Sequence, residues 1–194
     1  MRFLLIRWIL GSRAQQRYTQ RSSSRRPAAV STKGVSLPYV QLFETNLEAV
    51  KSTVATFFEV FPNGAIWGNT YQGKGHDMVL LGRVEPLRIN LDEIDRRVAS
   101  SKIAQSLSEV GMKSALDLFA TYAGRRSDLT AWLTDAVINL DRNLRMQYLA
   151  GLGLDLDNSA AIYADMLTHR RFPEDVFTGT QAQLDSLRTM IQKE

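Results

Sequence analysis

The charge distribution constrains this chain more than any other feature of its sequence. Residues 1–43 contain eight Lys or Arg and no Asp or Glu, and the first acidic residue is Glu44. The whole chain has 24 basic and 20 acidic residues, so 16 basic and 20 acidic residues remain for the part from Glu44 onward. We therefore expect residues 1–33 to be a basic, disordered or out-of-frame segment. The folded part is not basic, which argues against a nucleic-acid partner.

The N-terminal stretch is not expected to cross a membrane. Residues 1–10 are apolar, but Arg2 and Arg7 interrupt them, and about 20 residues are needed to span a bilayer. The Arg- and Ser-rich, acid-free composition leaves a transit peptide as an alternative reading. The chain has no Cys, which excludes disulfides and thiolate sites and is typical of a reducing compartment, so we expect a cytoplasmic location.

Residues 34–88 have the pattern of an α/β domain. A strand over 34–42 is followed by a helix capped by Thr45 or Asn46, whose apolar residues recur every three or four positions until Pro62. A short strand at 65–67 and a buried strand at 76–82 follow, separated by a glycine-bearing loop. Because this loop is too short for a parallel crossover, the two strands should be antiparallel neighbours. By fold-level analogy, such an order ends the doubly wound sheet of class I methyltransferases.

Residues 89–194 have helical patterns, and we expect an all-helical appendage. A capping-box spacing at Asn90 begins one helix, and Gly111 ends the next. Ser114 begins a third helix that should extend to Gly124, and further helices are predicted at about 139–150, 158–168 and 180–192.

No motif in the chain predicts a catalytic residue, a cofactor site or a metal site. His76 and His169 have no Asp, Glu or His neighbours at ligand spacing. Gly73-Lys74-Gly75 precedes a strand instead of a helix, so we interpret it as a hairpin turn. The carboxylates at 155–157 are explained by a helix N-cap, and the charges at 141–145 by a solvated helix face.

Five longer strings are distinctive in this chain: VQLFETNLEAVK at 40–51, FFEVFPNG at 57–64, DMVLLG at 77–82, DRNLRMQYLAG at 141–151 and RFPED at 171–175. Together they resemble the spermidine synthase family, and in particular the bacterial chains that join a transporter-like half to a synthase-like half. The resemblance covers about 34–194. It implies a methyltransferase-like fold and transfer of an aminopropyl group from decarboxylated S-adenosylmethionine to a diamine such as putrescine.

The resemblance also implies two substrate-binding residues. Gln41 lies at the end of the strand where the family has an amine-binding glutamine, and Tyr71, with Thr70 and Gly73, loosely matches a loop whose tyrosine contacts the amine. An amide oxygen and a phenol can both accept hydrogen bonds from a diamine. A strand-end hydrogen bond for Gln41 and an exposed hairpin position for Tyr71 remain equally good readings.

Residues 1–33 depart from the family pattern, since they have no glycine-rich loop and no acidic motif. We therefore expect a truncated, inactive and unstable synthase-like chain without the co-substrate site. A frameshift of one nucleotide would explain the departure. When residues 7–25 are back-translated and read in the shifted frame, the result can resemble the family segment that precedes Gly34. The alternative function is a non-catalytic interaction module that docks through its helical C-terminal region.

Overall fold

The computed structural model describes residues 38–71, 74–99, 101–109, 111–140, 143, 149 and 158–193. The predictions for residues 1–33, for the charged residues Asp141, Arg142 and Arg145 and for the carboxylates at 155–157 lie outside these residues. The strands are Tyr39–Gln41 (β1), Ala65–Tyr71 (β2), Lys74–Leu81 (β3), Ile89–Asn90 (β4), Tyr122–Arg125 (β5) and Phe177–Thr178 (β6). The helices are Leu47–Val60 (α1), Leu91–Val98 (α2), Ser101–Glu109 (α3), Ala115–Ala120 (α4), Arg126–Leu129 (α5), Ser159–Leu167 (α6) and Gln181–Lys193 (α7).

The main sheet has four strands in the order β1-β3-β2-β5, and every neighbouring pair is antiparallel. The predicted antiparallel pairing of the hairpin strands β2 and β3 is confirmed. Since β1 and β2 are both antiparallel to β3, they run in the same direction, and α1 is the crossover between them. The predicted strand over 34–42 is described from residue 38 onward, where its regular part is β1.

Helix α1 forms for reasons that are local in the sequence. The side chain of Asn46 accepts a hydrogen bond of 2.9 Å from the backbone N–H of Ala49, which is an N-cap, and Pro62 follows the helix end. The apolar residues Val50, Val54 and Phe58 are at most 1% exposed. The sheet therefore covers the apolar face of this helix.

The sheet is buried on both faces, because alternate residues of β2 and β3 point to opposite sides. One face, the first core, contains Trp67 and Val79 and packs against α2, α3, α4 and α7. The opposite face, the second core, contains Ile66 and Met78 and packs against α1 and α6. The described residues thus form a mixed α/β arrangement of helices, sheet and helices.

The predicted helix from Ser114 to Gly124 is correct only in its first half. The capping box of Ser114 and Asp117 is present, but α4 ends at Ala120, and β5 follows and pairs with β2. The side chain of Tyr122 packs in the first core and that of Ala123 in the second, which is the alternation of a strand. Pairing with a distant strand has overridden an apolar spacing that fits a helix.

Like β5, the strands β4 and β6 contradict the expectation that residues 89–194 form an all-helical appendage. β4 and β6 form a parallel pair in which Ile89 lies opposite Phe177, and both residues are 2% exposed. A strand of two residues is too short to leave a periodic pattern in the sequence. The helices predicted at 158–168 and 180–192 are confirmed as α6 and α7, whereas residues 139–140 are not helical and the rest of the helix predicted there lies largely outside the described residues.

Candidate functional site

Three polar residues lie side by side at one end of the sheet. The strand register places Gln41 of β1 opposite Asp77 of β3, and Asp77 opposite Asn69 of β2. Residues that are directly opposite in an antiparallel pair share a face and have Cβ atoms about 4.5–5.5 Å apart. These three residues, which we call the polar row, lie on the first-core face. They lie at the carboxyl ends of the parallel strands β1 and β2, where α/β sheets generally bind ligands.

The side chain of Gln41 is fixed by a hydrogen bond to the backbone just after its own strand. Its Nε2 atom donates a hydrogen bond of 3.1 Å to the backbone oxygen of Phe43. That bond uses the donor side of the amide and leaves the Oε1 acceptor available. Gln41 is half-buried, so this oxygen is suited to accept a hydrogen bond from a nitrogen of a ligand that reaches the end of the sheet.

Asp77 is the least expected member of the polar row, because it is 3% exposed and its Oδ1 atom has no hydrogen-bond partner. No ion pair between the described residues includes it. A buried acceptor without a partner costs about 1–3 kcal/mol, and a charged group costs more. This carboxylate is therefore suited to accept a hydrogen bond from a cation.

Tyr39 lies beside Asp77 and connects the site to solvent. Its hydroxyl forms a hydrogen bond with Asp77, and partial burial, followed by the charge and the hydrogen bond of Asp77, raises the pKa of Tyr39. Its side chain is 47% exposed. Trp67, on the same face, has a buried Nε1–H without a partner, but this group is a donor and cannot bind a cation. Asp77 is therefore the member of this face that is suited to a cation, and Tyr39 is its exposed neighbour.

The two residues predicted from the family resemblance lie at the same end of the sheet. β1 ends at Gln41 and β2 ends at Tyr71, and β3 lies between them. For Tyr71 the structure describes the backbone position alone, so its predicted contact with an amine stays a prediction. Sequence reasoning missed Asp77, although a carboxylate at the start of the apolar run 78–81 was a usable signal.

A cavity of about 340 Å³ lies at the opposite end of the sheet, next to Gly64, Arg125 and Arg126. Its cations already have partners, since Arg125 pairs with Asp175 at 2.6 Å and Arg126 pairs with Glu59 at 2.9 Å. Neutralised arginines attract an anion only weakly. We therefore consider the polar row, and not this cavity, to be the candidate functional site.

The part of the chain that the structure describes contains no group of three or more His, Asp or Glu residues placed to hold a metal ion. His76 instead stacks on the ring of Phe43, with the ring centres 4.7 Å apart. None of the helices described by the structure combines the length and the apolar character needed to cross a bilayer.

No protein-family model matches the chain, and neither does any curated protein or solved structure. The resemblance to spermidine synthases therefore remains a prediction from the sequence strings.

Proposed function

We propose that this chain is a spermidine-synthase-like protein whose polar row is the diamine-binding side of an aminopropyltransferase site. The main support for this proposal is the geometry of the Gln41 amide. Its Nε2 atom donates to the backbone oxygen of Phe43, and its Oε1 atom remains available next to the buried carboxylate of Asp77. The family resemblance assigns an amine to this same glutamine.

The connectivity of the sheet supports the proposal. A helical crossover joins the parallel strands β1 and β2, and β3 then returns antiparallel between them. This is the order expected for the end of a methyltransferase-like sheet. The addition of β5 next to β2 is a departure from the end that we expected.

The proposed chemistry of the family needs a second half of the site, which would hold decarboxylated S-adenosylmethionine. Residues 1–33 contain neither a glycine-rich loop nor an acidic residue. We therefore propose that this chain binds the diamine but does not transfer an aminopropyl group to it.

The alternative, a module that docks through its C-terminal helices, has less support. The apolar residues Leu187 and Ile191 of α7 are at most 2% exposed, because they pack in the first core. These residues are consequently not available to a partner.

Calorimetric titration of the full chain with putrescine tests the proposal. We expect binding by the wild-type chain, weaker binding by Gln41→Ala, and unchanged binding by Gln105→Ala, which truncates an exposed glutamine on α3. A parallel assay with decarboxylated S-adenosylmethionine should show no product. Absence of putrescine binding would refute the amine site, and product formation would refute the proposal that the chain is inactive.

A further inference from the structure

The unpartnered Oδ1 atom of Asp77 indicates a second contact to the amine, in addition to the contact assigned to Gln41. We infer that Asp77 and Gln41 together hold one primary ammonium group, with a hydrogen bond to Asp77 Oδ1 and another to Gln41 Oε1. This inference rests on the proposed function and identifies the residue that requires the ligand to be charged.

The side chains of Gln41 and Asp77 are close enough to contact the same ligand nitrogen. Gln41 and Asp77 are directly opposite on neighbouring strands and share a face. At a Cβ separation of about 5 Å, their terminal oxygens can approach the same nitrogen but are too close together to hold the two ends of a diamine. The two residues therefore bind one end of the ligand.

The carboxylate of Asp77 needs a further hydrogen-bond donor. Tyr39 provides one hydrogen bond to Asp77, and Oδ1 is left without a partner in a buried environment. A buried charge of this kind is stabilised by an opposite charge that also donates a hydrogen bond. A neutral hydroxyl does not supply the charge, and a quaternary ammonium does not supply the donor.

The surroundings of Asp77 reach the surface. Asp77 itself is 3% exposed, whereas the neighbouring Tyr39 is 47% exposed and Gln41 is half-buried. A primary ammonium group carries a charge and can donate N–H hydrogen bonds, whereas a trimethylated nitrogen has no N–H to donate. The site should therefore select primary amines by both charge and hydrogen bonding.

The experiment measures binding of four probes to the full chain by calorimetry, in a buffer free of metal cations and of primary amines. The probes are putrescine, butylamine, 1,4-butanediol and butyltrimethylammonium. We expect the two primary amines to bind and the other two compounds not to bind. Asp77→Asn should weaken the binding of putrescine and of butylamine by the same factor, about 10- to 100-fold, since it removes a charge-assisted hydrogen bond to one nitrogen.

Further measurements test the inference even if Asp77→Asn folds poorly. Asp185→Asn makes the same charge change on the exposed face of α7 and should leave binding unchanged. In the wild-type chain, the carboxyl carbon resonance of Asp77 should shift on addition of butylamine. The double variant Gln41→Ala/Asp77→Asn should lose less affinity than the two single losses multiplied, because both residues contact one nitrogen.

The outcomes separate the inference from the proposed function. If the wild-type chain binds no amine, both are wrong. If putrescine binds and Asp77→Asn has no effect, or if the carboxyl resonance does not shift, only the inference is wrong. Binding of sodium ions without binding of amines would also overturn it, since the same oxygens would then hold a metal ion.

Discussion

Substitution of Gly68 by alanine tests how α6 packs on the sheet. A Cβ atom added at Gly68 would lie 1.7 Å from the hydroxyl oxygen of Tyr163 and 2.5 Å from its Cζ atom. The same tyrosine passes over Gly75, where an added Cβ would lie 2.3 Å from the Tyr163 Cβ. Because Tyr163 is 4% exposed and is placed against two strands, its ring has little room to move away.

We expect Gly68→Ala to lower the free energy of unfolding by about 1–3 kcal/mol or more, which is the usual cost of overpacking a core. Tyr163→Ala should cost about 3–5 kcal/mol, as truncation of a buried aromatic side chain does. In the double variant the overlap disappears, so its loss should be smaller than the sum of the single losses by about 0.5–3 kcal/mol.

Urea unfolding at 25 °C, followed by circular dichroism and fluorescence, measures these differences. Leu187→Ala is the matched control, because Leu187 is fully buried in the first core on the other side of the sheet. Its effect should add to that of Gly68→Ala within about 0.5 kcal/mol. Additive effects of the Gly68 and Tyr163 substitutions would refute the described packing of α6.

Three further substitutions test separate parts of the structure. Asn46→Ala removes the N-cap of α1 and should lower the free energy of unfolding by about 1 kcal/mol in urea denaturation. Tyr122→Phe removes a hydrogen bond of 2.8 Å to Asp128 and should cost about 1–3 kcal/mol; an unchanged thermal midpoint would contradict the placement of β5. For Asp175, burial raises the pKa, but the hydrogen bond and charge of Arg125 outweigh this effect and lower the pKa below the ordinary 3.8. The ionised Asp175 therefore stabilises the fold above the ordinary pKa of 3.8, and this contribution is lost as the pH falls through the lower pKa of the folded state. Between about pH 5 and pH 2, the free energy of unfolding should consequently fall less for Asp175→Asn than for the wild-type chain.

The parts of the fold that were predictable depend on local information. α1 is specified by an N-cap, an apolar spacing and a terminal proline, all within residues 46–62. The capping box at Ser114 and the glycine stop at Gly111, which has a φ of 77°, are equally local. These features persist whatever the rest of the chain does, so the sequence was sufficient to recognise them.

The parts that were missed depend on pairing between distant residues. β5 is a strand because Gly124 lies opposite Ile66, and nothing within residues 114–125 reveals that partner. The polar row likewise requires the register of three strands, since Gln41, Asp77 and Asn69 are neighbours only when β3 lies between β1 and β2. Gln41 came from the family resemblance, and Asp77 came from the structure.

The most direct test of the account is a crystal structure of the full chain with putrescine. We predict electron density for a ligand nitrogen within about 3.2 Å of both Asp77 Oδ1 and Gln41 Oε1, at the end of the sheet formed by β1 and β3. A ligand bound elsewhere, or a polar row that remains without ligand at saturating putrescine, would contradict the account.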